Sequence, residues 1–183
     1  MRLFIIAILL AGCARTEPES AEELSSVEGP LAQESWDITF SISQQGVIRM
    51  VLEAAHMVRY DDPDSLYTVF ERGDAPADRV RATFYDSTGV QTTNLTAESV
   101  LFDEKDHTMI ARGDVVLESE QGRKLESEYV EWNEDARTIE APDFVSLTTE
   151  NQHIMGYELI ANEDLSTWSI KRPTGTVLIR EPS

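Results

Sequence analysis

From residue 36 onward, apolar and polar residues alternate with the period of two that marks half-buried strands. Trp36-Asp-Ile38-Thr-Phe40-Ser-Ile42 is the first such run, and Ile48, Met50 and Leu52 resume it after Gln45-Gly46, which predicts a hairpin. Strands are expected again over 55–60, 66–70 and 80–85, separated by Asp61-Asp62-Pro63-Asp64 and by Arg72-Gly73-Asp74-Ala75-Pro76, both rich in turn-forming residues. No segment beyond the first dozen residues has a helical period. Val, Ile, Thr, Tyr, Phe and Trp concentrate in the strand candidates, so the fold class is all-β.

After residue 90 the alternation is written in copies. A shift of thirty positions pairs Leu95 with Leu125, Val100 with Val130, Phe102 with Trp132, Met109 with Ile139, Val115 with Val145 and Leu117 with Leu147. A further shift of twenty-nine pairs Leu125 with Ile154, Val130 with Leu159, Ile139 with Trp168, and Asn133-Glu134-Asp135 with Asn162-Glu163-Asp164. Each copy therefore predicts two strands joined by a short polar turn at 103–106, 133–136 or 162–164. A unit this short cannot bury its own apolar face, so the copies must stack around one core. Strand phase turns Trp36, Ile38, Phe40, Met50, Leu52, Phe84, Phe102, Val115, Leu117, Trp132, Ile139, Val145, Leu147, Ile154, Trp168 and Ile170 inward. Short strands at this spacing make a sandwich, a barrel or a roll.

The first thirteen residues add an address. Arg2 precedes the apolar run Leu3–Leu10, which is too short to span a bilayer but suits a secretory signal. Leu10-Ala11-Gly12-Cys13 fits a bacterial lipobox: residues 1–12 are expected to be the signal peptide and Cys13 the lipid anchor. Cys13 is the sole cysteine, so no disulfide framework supports the fold. Residues 13–33 are acidic and contain Pro and Ser, and are expected to be a disordered tether. A single domain is expected over 34–181.

Charge and chemistry narrow the function. The formal net charge of −19 excludes nucleic-acid binding through phosphate neutralisation and leaves an apolar ligand face the better prospect. His56, His107 and His153 lie far apart with no second ligand at metal-site spacing, and no nucleophile elbow or phosphate loop occurs. With 34 acidic residues, carboxylate pairs arise by chance. The chain is expected to be non-enzymatic, without metal or cofactor.

Leu52-x-Ala54-x-x-x-Val58-x-Tyr60-Asp61 and Val80-x-Ala82-x-Phe84-Tyr85-Asp86 resemble the opening strands of the LptC family of periplasmic lipopolysaccharide-export proteins. Ala111-x-Gly113-Asp114-Val115-x-Leu117 and Leu125-x-x-x-x-Val130-x-Trp132 resemble the repeated phrase that family shares with LptA-like bridge proteins, and Ile154-x-Gly156-x-x-Leu159-x-Ala161 resembles its closing unit. The resemblance implies an open, twisted antiparallel β-jelly roll. It implies a role in passing lipopolysaccharide from an inner-membrane ABC transporter to an LptA-like bridge, with the acyl chains shielded in an apolar trough. The expected ligand-binding residues are Ile38, Phe40, Met50, Leu52, Phe84, Phe102, Val115, Leu117, Trp132, Ile139, Val145, Leu147, Ile154 and Trp168. The chain departs from the better-known members in offering a lipobox in place of an uncleaved transmembrane helix. A lipid-anchored periplasmic protein follows, at the inner membrane by family likeness, although Ala14 after Cys13 fits outer-membrane sorting. Two other readings stand beside this one: a scaffold that binds proteins through its sheet edges, and a sugar-binding lipoprotein, which would need outward-facing Trp36, Trp132 or Trp168.

Overall fold

A computed structural model describes residues 31–62, 65–75 and 77–177. Cys13 and most of the expected tether lie outside these residues, as do Pro63, Asp64 and Pro76 of the expected turns.

The described chain is a single twisted antiparallel sheet of eleven strands. In chain order they are β1 (Leu31–Gln44), β2 (Val47–Asp62), β3 (Ser65–Glu71), β4 (Val80–Tyr85), β5 (Gln91–Ala97), β6 (Ser99–Asp103) and β7 (Thr108–Ser119). The last four are β8 (Lys124–Asn133), β9 (Thr138–Thr148), β10 (Gln152–Asn162) and β11 (Trp168–Val177). The three sequence copies are the hairpins β6–β7, β8–β9 and β10–β11. The polar residues between their strands make the expected turns. Asp103 Oδ1 accepts from the Lys105 and Asp106 amides, Asn133 Oδ1 from Ala136, and Asn162 Oδ1 from Thr167. Gln45 and Gly46 both have positive φ, 53° and 81°, the left-handed pair that a tight hairpin requires. The segments 47–52 and 55–60, expected as two strands, are one continuous β2.

Between β2 and β7 the sheet forks. The first part of β2 (50–53) pairs with β4, and β4 leads through β5 to the second part of β7 (116–119). The later part of β2 (56–62) pairs with β3, and β3 leads through β6 to the first part of β7 (108–112). Beyond the fork, every strand pair carries a register irregularity at the same level: between Arg112 and Val115, Ser127 and Glu131, Tyr157 and Leu159, and again around Tyr157 in β10–β11. Positive φ at Gly113, Asp114, Glu158 and Arg172 marks the same line. Bulges bend and over-twist a strand, so a row of them creases the whole sheet.

Folded at this crease, the sheet makes two facing layers, an open roll of jelly-roll type. We call the part with β4 and β5 the first layer, and the part with β3, β6 and the hairpin turns the second. Ring contacts join them: Phe84 of β4 meets Trp132 of β8 at 5.2 Å, and Phe40 of β1 meets Phe70 and Phe102 at 5.3 and 5.7 Å. Gly156 at the crease carries no side chain, and an added Cβ would strike Ile170 and the Lys171 carbonyl. The roll is open at both ends: among the described residues β1 pairs only with β2, and β11 only with β10.

Candidate functional site

The interior is built from cross-strand neighbours. In the first layer, Phe40, Leu52, Ala82, Leu95, Leu117, Leu125, Leu147 and Ile154 stand opposite one another in unbroken succession from β1 to β10. In the second layer, Phe102, Met109, Trp132, Ile139, Ala161 and Trp168 do the same from β6 to β11. Two apolar tracks thus face each other and run across the strands toward the unpaired edges. The repeat explains the continuity: a hairpin that recurs with its strand phase kept places each copy's apolar residue beside that of the copy before it.

The structure brings most of the expected ligand-binding residues into this one cluster. Met50, Leu52, Phe84, Phe102, Val115, Leu117, Trp132, Ile139, Val145 and Leu147 are buried in it, none more than 5% exposed. Phe40 and Trp168, with Ile42 and Ile170, are half-buried and pack against its margin; all four lie on the two edge strands. Ile38 and Ile154 are half-buried as well. The inward expectation fails for Trp36, which is 66% exposed and lies against His56 with ring centroids 5.4 Å apart. Asp37 explains it: a φ of 53° turns the backbone between Trp36 and Ile38 and breaks the alternation. These side chains pack against one another in a single core.

A second arrangement escaped the sequence reading. The carboxylate of Glu163, in the β10–β11 turn, has a side chain only 10% exposed and accepts from Arg137 Nε and Nη2 at 2.9 and 2.7 Å and from Trp132 Nε1 at 3.0 Å. Arg49 Nη2 reaches it from β2 at 3.6 Å, and Thr93 Oγ1 of β5 donates to its main-chain oxygen at 2.7 Å. Neighbouring Leu165 is fully buried. The signal was Leu165 itself, an apolar residue where the other copies have Asp106 and Ala136.

Glu134, the counterpart of Glu163 one copy earlier, has its carboxyl pushed above the ordinary range. Burial is the main cause, opposed by His107 and Arg49 and reinforced by Asp135 and Glu163. A raised folded-state pKa means that the folded protein binds the proton more tightly than the unfolded chain, so stability falls as pH rises through the window above the ordinary Glu value. Glu134→Gln is therefore expected to melt higher than the parent at pH 7. The difference should vanish near pH 4, where both states hold the proton; an unchanged gap between the two pH values would contradict it.

The three histidines stand apart from one another. His56 bonds Glu71 at 2.9 Å, His107 lies 3.4 Å from Asp135 and His153 bonds Ser146 at 3.1 Å, three separate surface pairs. No group of three His, Cys, Asp or Glu side chains among the described residues is placed to hold a metal ion. Among them, too, no helix is long and apolar enough to cross a membrane.

No curated protein matches the chain. Residues 4–178 match the family described as "Lipopolysaccharide-assembly, LptC-related", which spans both tracks, the crease and the edge strands. A family of lipopolysaccharide transport accords with an apolar interior reaching both open edges, and by this match the chain belongs to the LptC family.

Proposed function

We propose that this protein is a periplasmic, lipid-anchored carrier that receives lipopolysaccharide from an inner-membrane ABC transporter and passes it to an LptA-like bridge. In this reading Cys13 holds the chain at the inner membrane, the acyl chains lie between the two tracks, and no reaction is catalysed. The observation that carries it is the unbroken succession of apolar neighbours from β1 to β10, faced by the second from β6 to β11. Burying a methylene is worth roughly 0.8 kcal/mol, so a twelve-carbon chain costs on the order of 10 kcal/mol to expose to water. A track without a polar break allows such a chain to move across the strands with little of that cost. The edges β1 and β11 offer unpaired backbone to adjoining rolls, which strand addition would join into a longer track.

A packed interior also suits a scaffold that carries nothing, and photo-crosslinking in cells separates the two. A benzophenone amino acid in place of Phe40, Phe102 or Trp168 keeps an aromatic ring at an inward position; one at Glu118 or Glu128 points outward. The inward sites are expected to capture lipopolysaccharide and the outward sites none. Equal capture from both faces would remove the trough reading. Radioactive palmitate fed to the same cells should label the parent and not Cys13→Ser; label retained in that variant would remove the anchor.

A further inference from the structure

The three hairpin turns hold equivalent places in the repeat, and the third differs from the other two. In the first two copies residues 105–107 and 135–137 are exposed, and the left-handed residue is the last of each, His107 (φ 50°) and Arg137 (φ 55°). In the third the left-handed residue moves back one place to Leu165, at φ 56°, and its side chain is fully buried. A bulky residue in that region is strained, and it persists only where its surroundings hold it. Two places before it, Glu163 ties the layers together: Thr93 of the first layer and Trp132 and Arg137 of the second bond to it, and Arg49 of the first layer forms an ion pair with it at 3.6 Å.

We infer that the 163–167 turn is a releasable clasp, and that acyl chains enter the interior from the side by parting the layers here. This rests on the carrier reading above. The opposite side of the roll is the crease, where the layers are continuous backbone and cannot separate. The clasp side is held by contacts between side chains and by two side-chain-to-carbonyl bonds, from Thr93 Oγ1 to Glu163 and from Arg123 Nη1 to Asp164. Its central ion pair is buried, where the loss of hydration offsets much of the attraction. Arg49 Nε, also buried, has no partner. Strain in Leu165 and the unpaired Nε both favour release, while burial of Leu165 and Trp132 favours closure. Beside the clasp a cleft of about 600 Å³ already bridges the layers, with Asp86, Thr92 and Glu120 on one side and Arg137, Asn162 and Asp164 on the other, so that parting the layers here would widen an existing gap.

Locking the clasp tests the inference. Thr93→Cys with Glu163→Cys puts a thiol on each of two residues that meet across the layers, Thr93 Oγ1 lying 2.7 Å from the Glu163 main-chain oxygen, and non-reducing electrophoresis shows that the disulfide has formed before capture is compared. With a benzophenone at Phe102, the oxidised protein is expected to capture lipopolysaccharide at least tenfold less than its reduced form, with recovery on reduction. Equal capture in the two redox states would overturn the clasp. Capture in neither form, with the Phe102 probe also silent in the parent, would instead overturn the carrier reading. Arg49→Met gives a second arm that needs no disulfide: it removes the charge from the first layer and leaves Glu163 with Arg137 and Trp132. Its initial rate of capture is expected to rise several-fold; a folded Arg49→Met protein with an unchanged or lower rate counts against release at this point.

Discussion

Replacing Trp132 with alanine is expected to lower the melting temperature by more than about 10 °C, because one side chain closes the interior in three ways. Its ring is 2% exposed and meets Phe84 of the opposite layer edge-on at 5.2 Å. In its own layer it stands between Met109 and Ile139 in the second track. Its Nε1 donates to buried Glu163. Truncating a buried Trp typically costs about 3–5 kcal/mol, since the site collapses only partly around the cavity. Leaving a buried carboxylate short of a donor adds about 1–3 kcal/mol. For a domain of this size each kcal/mol moves the midpoint by roughly 2–4 °C. Trp132→Phe keeps much of the contact with Phe84 and loses the indole N–H, so it should recover the larger part of the loss. Thermal melts followed by circular dichroism decide the matter, and a fall below about 3 °C for the alanine variant would mean that the layers close without this residue.

Much of this interior was legible because a β-strand reports its buried face by simple alternation. The thirty-residue shift did more than mark strands: it paired Leu117 with Leu147 and Phe102 with Trp132, members of the same track in successive hairpins. The crease was written in the sequence too, in the five-residue step from Leu125 to Val130 and the odd step from Gly156 to Leu159. An odd step reverses the face unless a bulge restores it. Where the partner strand places the bulge, and that bulges align across five strands, is set by pairing and not by any one segment. The fork lay beyond reach for a similar reason. Hairpin neighbours follow from short connections, whereas β3 beside β6 and β5 beside β7 depend on how the layers close.

Polar contacts were the least legible. Arg49 and Glu163 are far apart in the chain, and among 34 acidic residues nothing in composition singles out the one that will be buried. Burial depends on the opposite layer, which no local pattern describes. Trp36 shows the converse: its phase was right for the strand as a whole, and a single left-handed residue at Asp37 reversed it.

Leu117→Arg is expected to leave no folded domain, and the reason bears on how function must be tested. Leu117 is 0% exposed, in the middle of the first track between Leu95 and Leu125. A guanidinium there has no partner and no path to water, and its burial costs several kcal/mol, comparable with the roughly 5–15 kcal/mol that holds a domain together. A carrier and a scaffold both need this position filled, so unfolding does not distinguish them. The margin of the interior does. Ile170 is half-buried on edge strand β11, lying over Gly156, and an arginine there can extend its head group past the edge into water while its stem covers the same apolar surface. Ile170→Arg should therefore keep the β-sheet circular-dichroism spectrum and lose only a few degrees of stability, while placing a charge where the apolar interior meets the β11 edge. If lipid leaves across that margin to an adjoining roll, transfer to a purified LptA-like bridge should fall at least tenfold in a protein that is still folded and still captures lipopolysaccharide with the Phe102 probe. A folded Ile170→Arg protein with undiminished transfer would mean that cargo does not pass this edge.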